Sequence, residues 1–358
     1  MRKTIKYIHF FPYEKFTMAF INFINENYNV NEHYFIVFGK TKYLTINLES
    51  LENVLYFESI KQMLKINLNS LINLKNTKKI FVHSIFPGTE IILLRYIKYI
   101  KKMNIIFWGG DIYDLKKTNL NLRNFVLREL RKIIVSYVPK LITLVPNDYK
   151  EISNIIHVKG TNKIGVYPMD KSQHLIIKNV DCKKHNNPYK ILIGNSATSS
   201  NCHFEVFDLI KKYKNENIII YCPLSYGDEE YKKKVIKRGI ELFNDKFIPL
   251  TKYLNFKDYL QIIGECSVCI FNNDRQQAIG NINSAFHLKS KVYLKKNTTM
   301  WTEYITKKYV VYDVQEILHQ SFDEFINVSN EVILQNKKNI EYYRSNEYCK
   351  KIWNDLLQ

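Results

Sequence analysis

Nothing in this 358-residue chain runs apolar for the roughly 20 residues that a bilayer-spanning helix needs. Met1-Arg2-Lys3-Thr4 leads into a strand-like segment instead of a signal peptide, so the expected location is the cytoplasm. A disulfide framework is missing as well. The six cysteines are scattered through apolar, strand-like or helical surroundings, as reduced and buried thiols are, and Cys266 and Cys269 make a single CxxC with no second pair. There is no Walker A loop, no HExxH and no GxSxG. Without a DxD motif, no metal is implied. Arginine is scarce, with 8 of the 53 basic residues, and neither a zinc finger nor an RNP sequence occurs. Because recognition of bases and phosphates favours the arginine fork, the net charge of +19 does not make a nucleic-acid partner. Part of that charge is a general bias towards lysine, and an anionic membrane surface is the better partner for it.

What is present is a folded α/β chain. It is 46% hydrophobic and 14% aromatic, enough for two domains with their own cores. Ile5 to Phe10 and Tyr34 to Phe38 are β-branched and aromatic runs, with Phe16 to Ile24 apolar at helical spacing between them. Ile80 to His83 reads as a strand, Glu90 to Met103 as a helix, Ile105 to Trp108 as a strand, and Leu141 to Val145 as another. Asn119 to Val138 reads as a helix that interleaves apolar residues with Arg123, Arg128, Arg131 and Lys132. It suits either a membrane interface or a core-packed helix with a solvated basic face. The polar stretch from Lys171 to Tyr189, with Asp181-Cys182-Lys183-Lys184-His185-Asn186-Asn187-Pro188, reads as a linker.

A second alternation follows. Strands are expected at Ile191 to Ile193, Ile218 to Tyr221, Lys246 to Pro249, Val268 to Phe271 and Val292 to Leu294. Helices are expected at Phe204 to Tyr213, Glu229 to Phe243, Phe256 to Cys266 and Ile279 to His287, and Phe322 to Leu357 is helical in pattern. The expected organisation is therefore a first domain at 1–175, a linker at 176–189, a second domain at 190–335 and a terminal helix at 336–358, with the first domain as its candidate packing partner. Alternating strands and helices give parallel sheets whose ligands bind beyond the carboxyl ends of the strands.

The candidate functional residues stand at such ends. Gly194, Asn195 and Ser196 follow a strand and precede a helix, where backbone N–H groups and the helix dipole favour an anion such as a phosphate. The competing reading is an ordinary turn with Asn201 as helix N-cap. Arg275, Gln276 and Gln277, with Gly280 opening the next helix, can complete a diphosphate cradle, or Arg275 can serve an interdomain salt bridge. Tyr221, Ser225 and Tyr226 can hold a base and ribose, or form a rigid turn. Gly109 and Gly110 let a sugar approach the backbone closely, and Asn281 is a further sugar-binding candidate. Asp111 is a candidate general base or a capping residue, and His83 has similar standing. Glu303, near Trp301, is left open as a donor contact.

Taken together, these stretches resemble a known family. Ile191-Leu192-Ile193-Gly194-Asn195-Ser196 with Asn201 and His203, Tyr226-Gly227 followed by Tyr231, Gly239 to Phe243, Phe256 to Leu260, Arg275 to Gly280 and Trp301 are similar to the pattern of glycosyltransferase family 56. This is the TDP-N-acetylfucosamine:lipid II N-acetylfucosaminyltransferase or 4-alpha-L-fucosyltransferase family. Trp108-Gly109-Gly110-Asp111-Ile112-Tyr113 resembles its Trp-Gly-(Ala/Gly)-Asp-Leu-Tyr stretch. The resemblance spans roughly residues 80 to 305. It implies a GT-B type α/β fold, with two Rossmann-like domains facing each other across a cleft. It also implies a dTDP-linked deoxyamino sugar donor and a polyprenyl-diphosphate-linked glycan acceptor at the inner membrane face. No cofactor is implied, because the nucleotide sugar is a substrate. The alternative from another class is a non-catalytic, membrane-associated scaffold of polysaccharide assembly.

Overall fold

The computed structural model describes residues 5–14, 16–40, 48–68, 72–86, 88–118, 120–182, 184 and 187–358. Met1 to Thr4, Asn119, Lys183, His185 and Asn186, which entered the sequence reading, lie outside the described residues. The chain forms two compact units, residues 1–170 with 345–358, and residues 171–344.

The first unit is built on a parallel sheet of β1 (Tyr7–Pro12), β2 (His33–Phe38), β3 (Val54–Phe57), β4 (Lys79–His83), β5 (Met103–Phe107), β6 (Lys140–Thr143) and β7 (Thr161–Ile164), in the order β3-β2-β1-β4-β5-β6-β7. All six residues of β1 are buried, as expected of a strand covered on both faces. One face packs Ile8, Phe10, Ile36, Ile80 and Ile105 under Ile92, Leu93, Ile134 and Val135. The other packs Tyr7, Phe11, Phe35, Phe81 and Ile106 under the helix Thr17–Asn27 and the chain's last helix, Asn346–Leu357. That last helix is anchored by Trp353, fully buried, whose Nε1 donates to the carbonyl of Val166 at 2.8 Å. Tyr7 donates its hydroxyl to the Leu357 carbonyl at 3.0 Å, and Lys163 pairs with Asp355 at 2.8 Å.

The second unit has β8 (Tyr189–Ile193), β9 (Ile218–Pro223), β10 (Phe247–Leu250), β11 (Cys266–Phe271), β12 (Lys291–Leu294) and β13 (Tyr312–Asp313), also parallel, in the order β10-β9-β8-β11-β12-β13. Its core gathers Ile191, Ile193, Val206, Phe207, Ile220, Val268, Ile270 and Tyr293. All six cysteines are free thiols, with Cys266 and Cys269 buried in β11.

Several expectations change in detail. The segment read as the start of a linker is the helix Lys171–Lys178, which belongs to the second unit and buries Ile177, so the division falls at 170/171. The helix expected over Glu90 to Met103 ends at Arg95, continues as a 3-10 turn over Ile97–Lys102, and Met103 begins β5. The long closing helix is three helices. Ser321, Ser329 and Ser345 each accept a backbone N–H at a helix start, and these caps break Phe322–Ile326, Asn330–Tyr343 and Asn346–Leu357 apart. The first two stay in the second unit; only the last joins the first.

Truncating Trp353 to Ala removes the largest buried side chain of the last helix together with its hydrogen bond, and is expected to lower stability by about 3–5 kcal/mol. Chemical denaturation of the variant, followed by circular dichroism, checks this; a loss below about 1 kcal/mol contradicts the anchoring role.

Candidate active site

In the second unit the strand order reverses between β8 and β11, and the loops leaving these two strands diverge. Gly194 opens the first loop with a φ of 72°, and its amide donates to the Ile270 carbonyl on β11 at 2.9 Å. A Cβ here would stand 2.5 Å from His203 Nε2, so the position requires glycine. Asn201 is buried behind the loop: its Oδ1 accepts the Asn195 amide at 2.9 Å, and its Nδ2 donates to Thr198 Oγ1 at 2.8 Å and Ser196 Oγ at 3.2 Å. It is therefore not the helix N-cap. With that carboxamide taken up by the loop, helix His203–Ile210 starts from Cys202, left-handed and with no capping side chain.

Asn195 gathers the neighbouring loops. Its Nδ2 donates to the Tyr226 hydroxyl at 3.0 Å, its Oδ1 accepts from Gln277 Nε2 at 3.2 Å, and Gln277 Oε1 accepts from Ser200 Oγ at 2.8 Å. Tyr226 is held there because Gly227, with φ 125°, lies against Ala197; the Ala197 amide donates to the Tyr226 carbonyl and the Asp228 amide to the Ala197 carbonyl, each at 2.8 Å. Arg275 is half-buried in the β11 loop beside Gln276. Gln276 and Asn273, each 2% exposed, have both carboxamide atoms unpartnered among the described residues, as has Asn272 Oδ1. An unmade buried hydrogen bond costs about 1–3 kcal/mol, so these groups call for a polar occupant.

The electrostatics agree with that demand. Helices starting at Glu229, Phe256, Thr299, Phe322 and Asn330 each have an N-cap side chain that accepts a backbone N–H. The helices that follow β8 and β11, His203–Ile210 and Ile279–His287, do not; Cys202 and Ala278 stand there in left-handed conformations. Their first N–H groups remain for an anion. Other expected residues are placed differently. Gly280 has open space at its Cβ position, Ser225 is half-buried, and Asn281 donates to the Tyr259 hydroxyl at 3.1 Å. Tyr221 does not join Tyr226: it sits within β9 on the side of Lys190, which pairs with Glu265, because only residues past the strand end can reach the loops. Glu303 pairs with Lys307.

In the first unit the order reverses between β1 and β4, and His83 ends β4. His83 Nε2 lies 3.1 Å from His9 Nδ1, His9 Nε2 lies 3.1 Å from His33 Nδ1, and His83 Nδ1 lies 2.5 Å from the Tyr167 hydroxyl. Trp108 Nε1 donates to the same hydroxyl at 2.9 Å. Burial holds the imidazoles neutral, lowering His33 to about 4 and His9 and His83 well below the usual value. It also pushes the Tyr167 phenol well up. Asp111 is buried with four donors converging on it: Ser84 Oγ at 2.7 Å and the amides of Ile85, Trp108 and Ile112 at 3.3, 3.0 and 3.1 Å. Burial raises its carboxyl to about 6, against the opposing pull of these hydrogen bonds. Gly109, with φ 93°, and Gly110, with open space where a Cβ would be, leave the backbone accessible beside it. Among the described residues no cluster of three or more His, Cys, Asp or Glu side chains is arranged to hold a metal.

A profile of the family described as 4-alpha-L-fucosyltransferase, glycosyl transferase group 56, matches residues 14–358. The chain belongs to this family. The match extends the resemblance read from the motifs to nearly the whole chain, and it makes the protein a glycosyltransferase. Solved structures agree in fold. A glycosyltransferase from Rickettsia africae superposes with a TM-score of 0.66 at 12% identity, covering 99% of this chain and 98% of that one. Anabaena HepE in complex with UDP and glucose gives 0.64 at 9%, covering 99% of both. An E. coli trehalose-6-phosphate structure bound with UDP-2-fluoro glucose gives 0.64 at 9%, covering 98% of both. The fold of this glycosyltransferase is thus of the GT-B type, with two Rossmann-like units.

The group 56 chain also carries residues that its motifs left unmarked. His9, His33 and Tyr167 are far from His83 in sequence, and Asn273 lay inside a stretch read for Arg275 and the two glutamines. The helix Leu122–Tyr137 packs Ile134 and Val135 into the core, but its basic residues do not all lie on the outer face. Arg128 and Arg131 are buried, while Leu122 (80% exposed), Phe125, Val126, Ile133 and Tyr137 face out. Arg131 turns inward because Glu90, fully buried on the adjacent helix Thr89–Arg95, lies 3.9 Å away.

The three buried histidines, with His203 and His287 of the second unit, which burial also lowers to about 4, predict a pH dependence of stability. Their folded pKa values lie below the 6.5 of an unfolded histidine, so their contribution is complete above about pH 6.5 and is lost as pH falls towards the folded values, about 4 for His33. Asp111, raised from 3.8 to about 6, acts in the opposite sense between those values and offsets one histidine. Each remaining histidine approaches about 1.4 kcal/mol per pH unit. Urea midpoints at about pH 7 and about pH 5 measure this, and equal midpoints contradict a buried neutral chain.

Proposed function

We propose that this glycosyltransferase moves a deoxyamino sugar of the fucosamine or fucose type from a nucleoside-diphosphate donor, with dTDP favoured, to a polyprenyl-diphosphate-linked or other surface glycan acceptor. The observation that carries the donor assignment is the set of unpartnered buried carboxamides, Asn272, Asn273 and Gln276, beside two uncapped helix starts at the β8–β11 reversal. A diphosphate satisfies the helix N–H groups and is of the kind the Arg275 guanidinium pairs with, and hydroxyl or carbonyl groups of the donor satisfy the carboxamides. Gly194, Asn195, Ser196, Gln277 and Tyr226 line the same loops, and the uridine nucleotides named with two of the fold relatives support a nucleotide there. Catalysis is then mainly orientation and stabilisation of the departing diphosphate, with no metal, while a group of the first unit near Asp111 and His83 takes the acceptor proton.

A ligand that binds only the folded state raises its stability, by about 2.7 kcal/mol at a hundred times Kd. A thermal-shift panel of dTDP, UDP, GDP and CMP is expected to show a selective shift with dTDP or UDP. In Arg275→Ala the shift shrinks and turnover falls strongly while the unliganded melting temperature holds. A variant with normal turnover refutes the Arg275 role, and no selective shift in folded protein refutes the donor site.

We also infer a peripheral position on the inner face of the cytoplasmic membrane. Leu122, Phe125, Val126, Ile133 and Tyr137 face out from a helix that packs against Thr89–Arg95, where Ile91 and Leu94 are also exposed, and Arg95, Lys98, Lys101 and Arg123 are exposed on these and the following turn. Apolar residues with flanking cations fit the interface of an anionic bilayer. The protein is expected to cosediment with phosphatidylglycerol-containing vesicles, less so as salt rises, and Phe125→Asp with Ile133→Asp to lose most of that binding. Equal binding by wild type and variant overturns the docking face.

A further inference from the structure

We propose that Tyr167, His83, His9 and His33 form a proton wire that takes the proton of the acceptor hydroxyl at Tyr167 and carries it across the first sheet to His33. The inference rests on the glycosyltransfer reading, and it assigns the base that the reading leaves open.

The geometry decides who can touch the acceptor. Both ring nitrogens of His83 are occupied, by His9 and by Tyr167, so His83 has no lone pair to offer a substrate. The Asp111 carboxylate is filled by Ser84 and by three backbone amides. Tyr167 is half-buried, whereas His83, His9 and His33 are 0–2% exposed, so the phenol is the outer end of the chain. An indole N–H only donates, so Trp108 makes the Tyr167 oxygen an acceptor on that side, and the wire assigns the Tyr167 O–H to His83 Nδ1. Polarity then propagates. His83 carries its proton on Nε2 and gives it to His9 Nδ1, and His9 carries its proton on Nε2 and gives it to His33 Nδ1.

Packing alone does not call for these residues. Phe20, Phe35, Phe81 and Trp353 surround the rings, with His9 stacked 4.7 Å from Phe35 and 5.1 Å from Phe81. Apolar rings would fill this space without any need for aligned hydrogen bonds. The chain nevertheless runs unbroken from His83, the last residue of β4, to His33, the first of β2. Around His33 stand Tyr7, Tyr28 and Glu32, which is paired with Lys6 at 2.7 Å; Asp111 is the charged group that acts on Tyr167. The carboxylate beside His33 favours a passing positive charge, and burial keeps the imidazoles from retaining it.

In the transfer step the acceptor oxygen bonds to the anomeric carbon as the bond from that carbon to the diphosphate oxygen breaks, its electron pair leaving with the diphosphate. The hydroxyl proton passes to Tyr167 oxygen, the Tyr167 proton to His83 Nδ1, the His83 Nε2 proton to His9 Nδ1 and the His9 Nε2 proton to His33 Nδ1. His33 becomes an imidazolium and releases its Nε2 proton to solvent at that end of the sheet. Once the product has left, a proton re-enters at His33 Nε2, the shifts run in reverse, and Tyr167 releases the extra proton to solvent, which resets the wire.

Two measurements test this. Nitrogen-15 NMR of histidine-labelled protein at neutral pH is expected to show His83, His9 and His33 all as Nε2–H tautomers; any of them as Nδ1–H overturns the wire, whatever the activity. Kinetics then read its use, with a dTDP-linked acetamido-deoxy sugar and a polyprenyl-diphosphate-linked N-acetylglucosamine. His33→Gln keeps an acceptor for His9 but cannot relay a proton. Its kcat is expected to fall on the order of ten- to a hundredfold with donor KM unchanged, and the curved proton inventory of the wild type to become linear. Wild-type kcat and proton inventory in the variant overturn the relay. No transfer by the wild type, with the three tautomers as expected, overturns the catalytic use along with the functional reading and leaves the hydrogen-bonded chain standing.

Discussion

Two parallel strands can be joined only by a crossover that returns over a face of the sheet, and both faces of each sheet here are thereby closed to solvent. Strand ends are what remain. Where the order reverses, successive crossovers go to opposite faces and the loops part, between β1 and β4 in the first unit and between β8 and β11 in the second. The two openings are equivalent in topology and opposite in chemistry. The second collects small hydroxyl and carboxamide side chains, several without partners, around uncapped helix starts. The first collects aromatic rings, imidazoles and one carboxylate, with the hydrogen-bonding positions of His83 and Asp111 filled. One opening is built to receive charge, the other to hold its groups in fixed positions.

The alternation of strands and helices was legible because fully buried parallel strands read as continuous β-branched and aromatic runs. Helix Glu229–Phe243 lies where its apolar spacing put it, as does Ile279–His287. Short or polar elements were not legible. Thr161–Ile164 carries a lysine and an asparagine at the sheet edge, and Tyr312–Asp313 is two residues long. Lys171–Lys178 buries only Ile177 and is followed by a long polar stretch, so composition marked it as a linker. Caps proved more decisive than periodicity: Ser329 and Ser345 interrupt a pattern that reads as one helix.

At the candidate site, residues local to one loop were found from spacing, and residues brought together by the sheet were not. Gly194 to Ser196 with Arg275 to Gln277 could be read because each set follows its own strand. His9 and His33 lie 24 residues apart, and His9 and His83 lie 74 apart. His83 could be singled out because it ends a strand, whereas His9 lies inside an apolar run and His33 at the start of one, where an isolated histidine carries no signal. Charge misled in a similar way. A basic helix suggests a solvated basic face, yet Arg131 is buried beside Glu90 while Leu122, Phe125, Val126, Ile133 and Tyr137 of the same helix face out.

The last helix closes the apolar face over His9, Phe20 and Phe81, although residues 171–344 intervene before it in the chain. A ribosome working from the amino end must therefore deliver the whole second unit before the first can be finished. Until then a nascent chain carries an open aromatic sheet face, and the second unit is complete while the half with the histidines still waits for its cover.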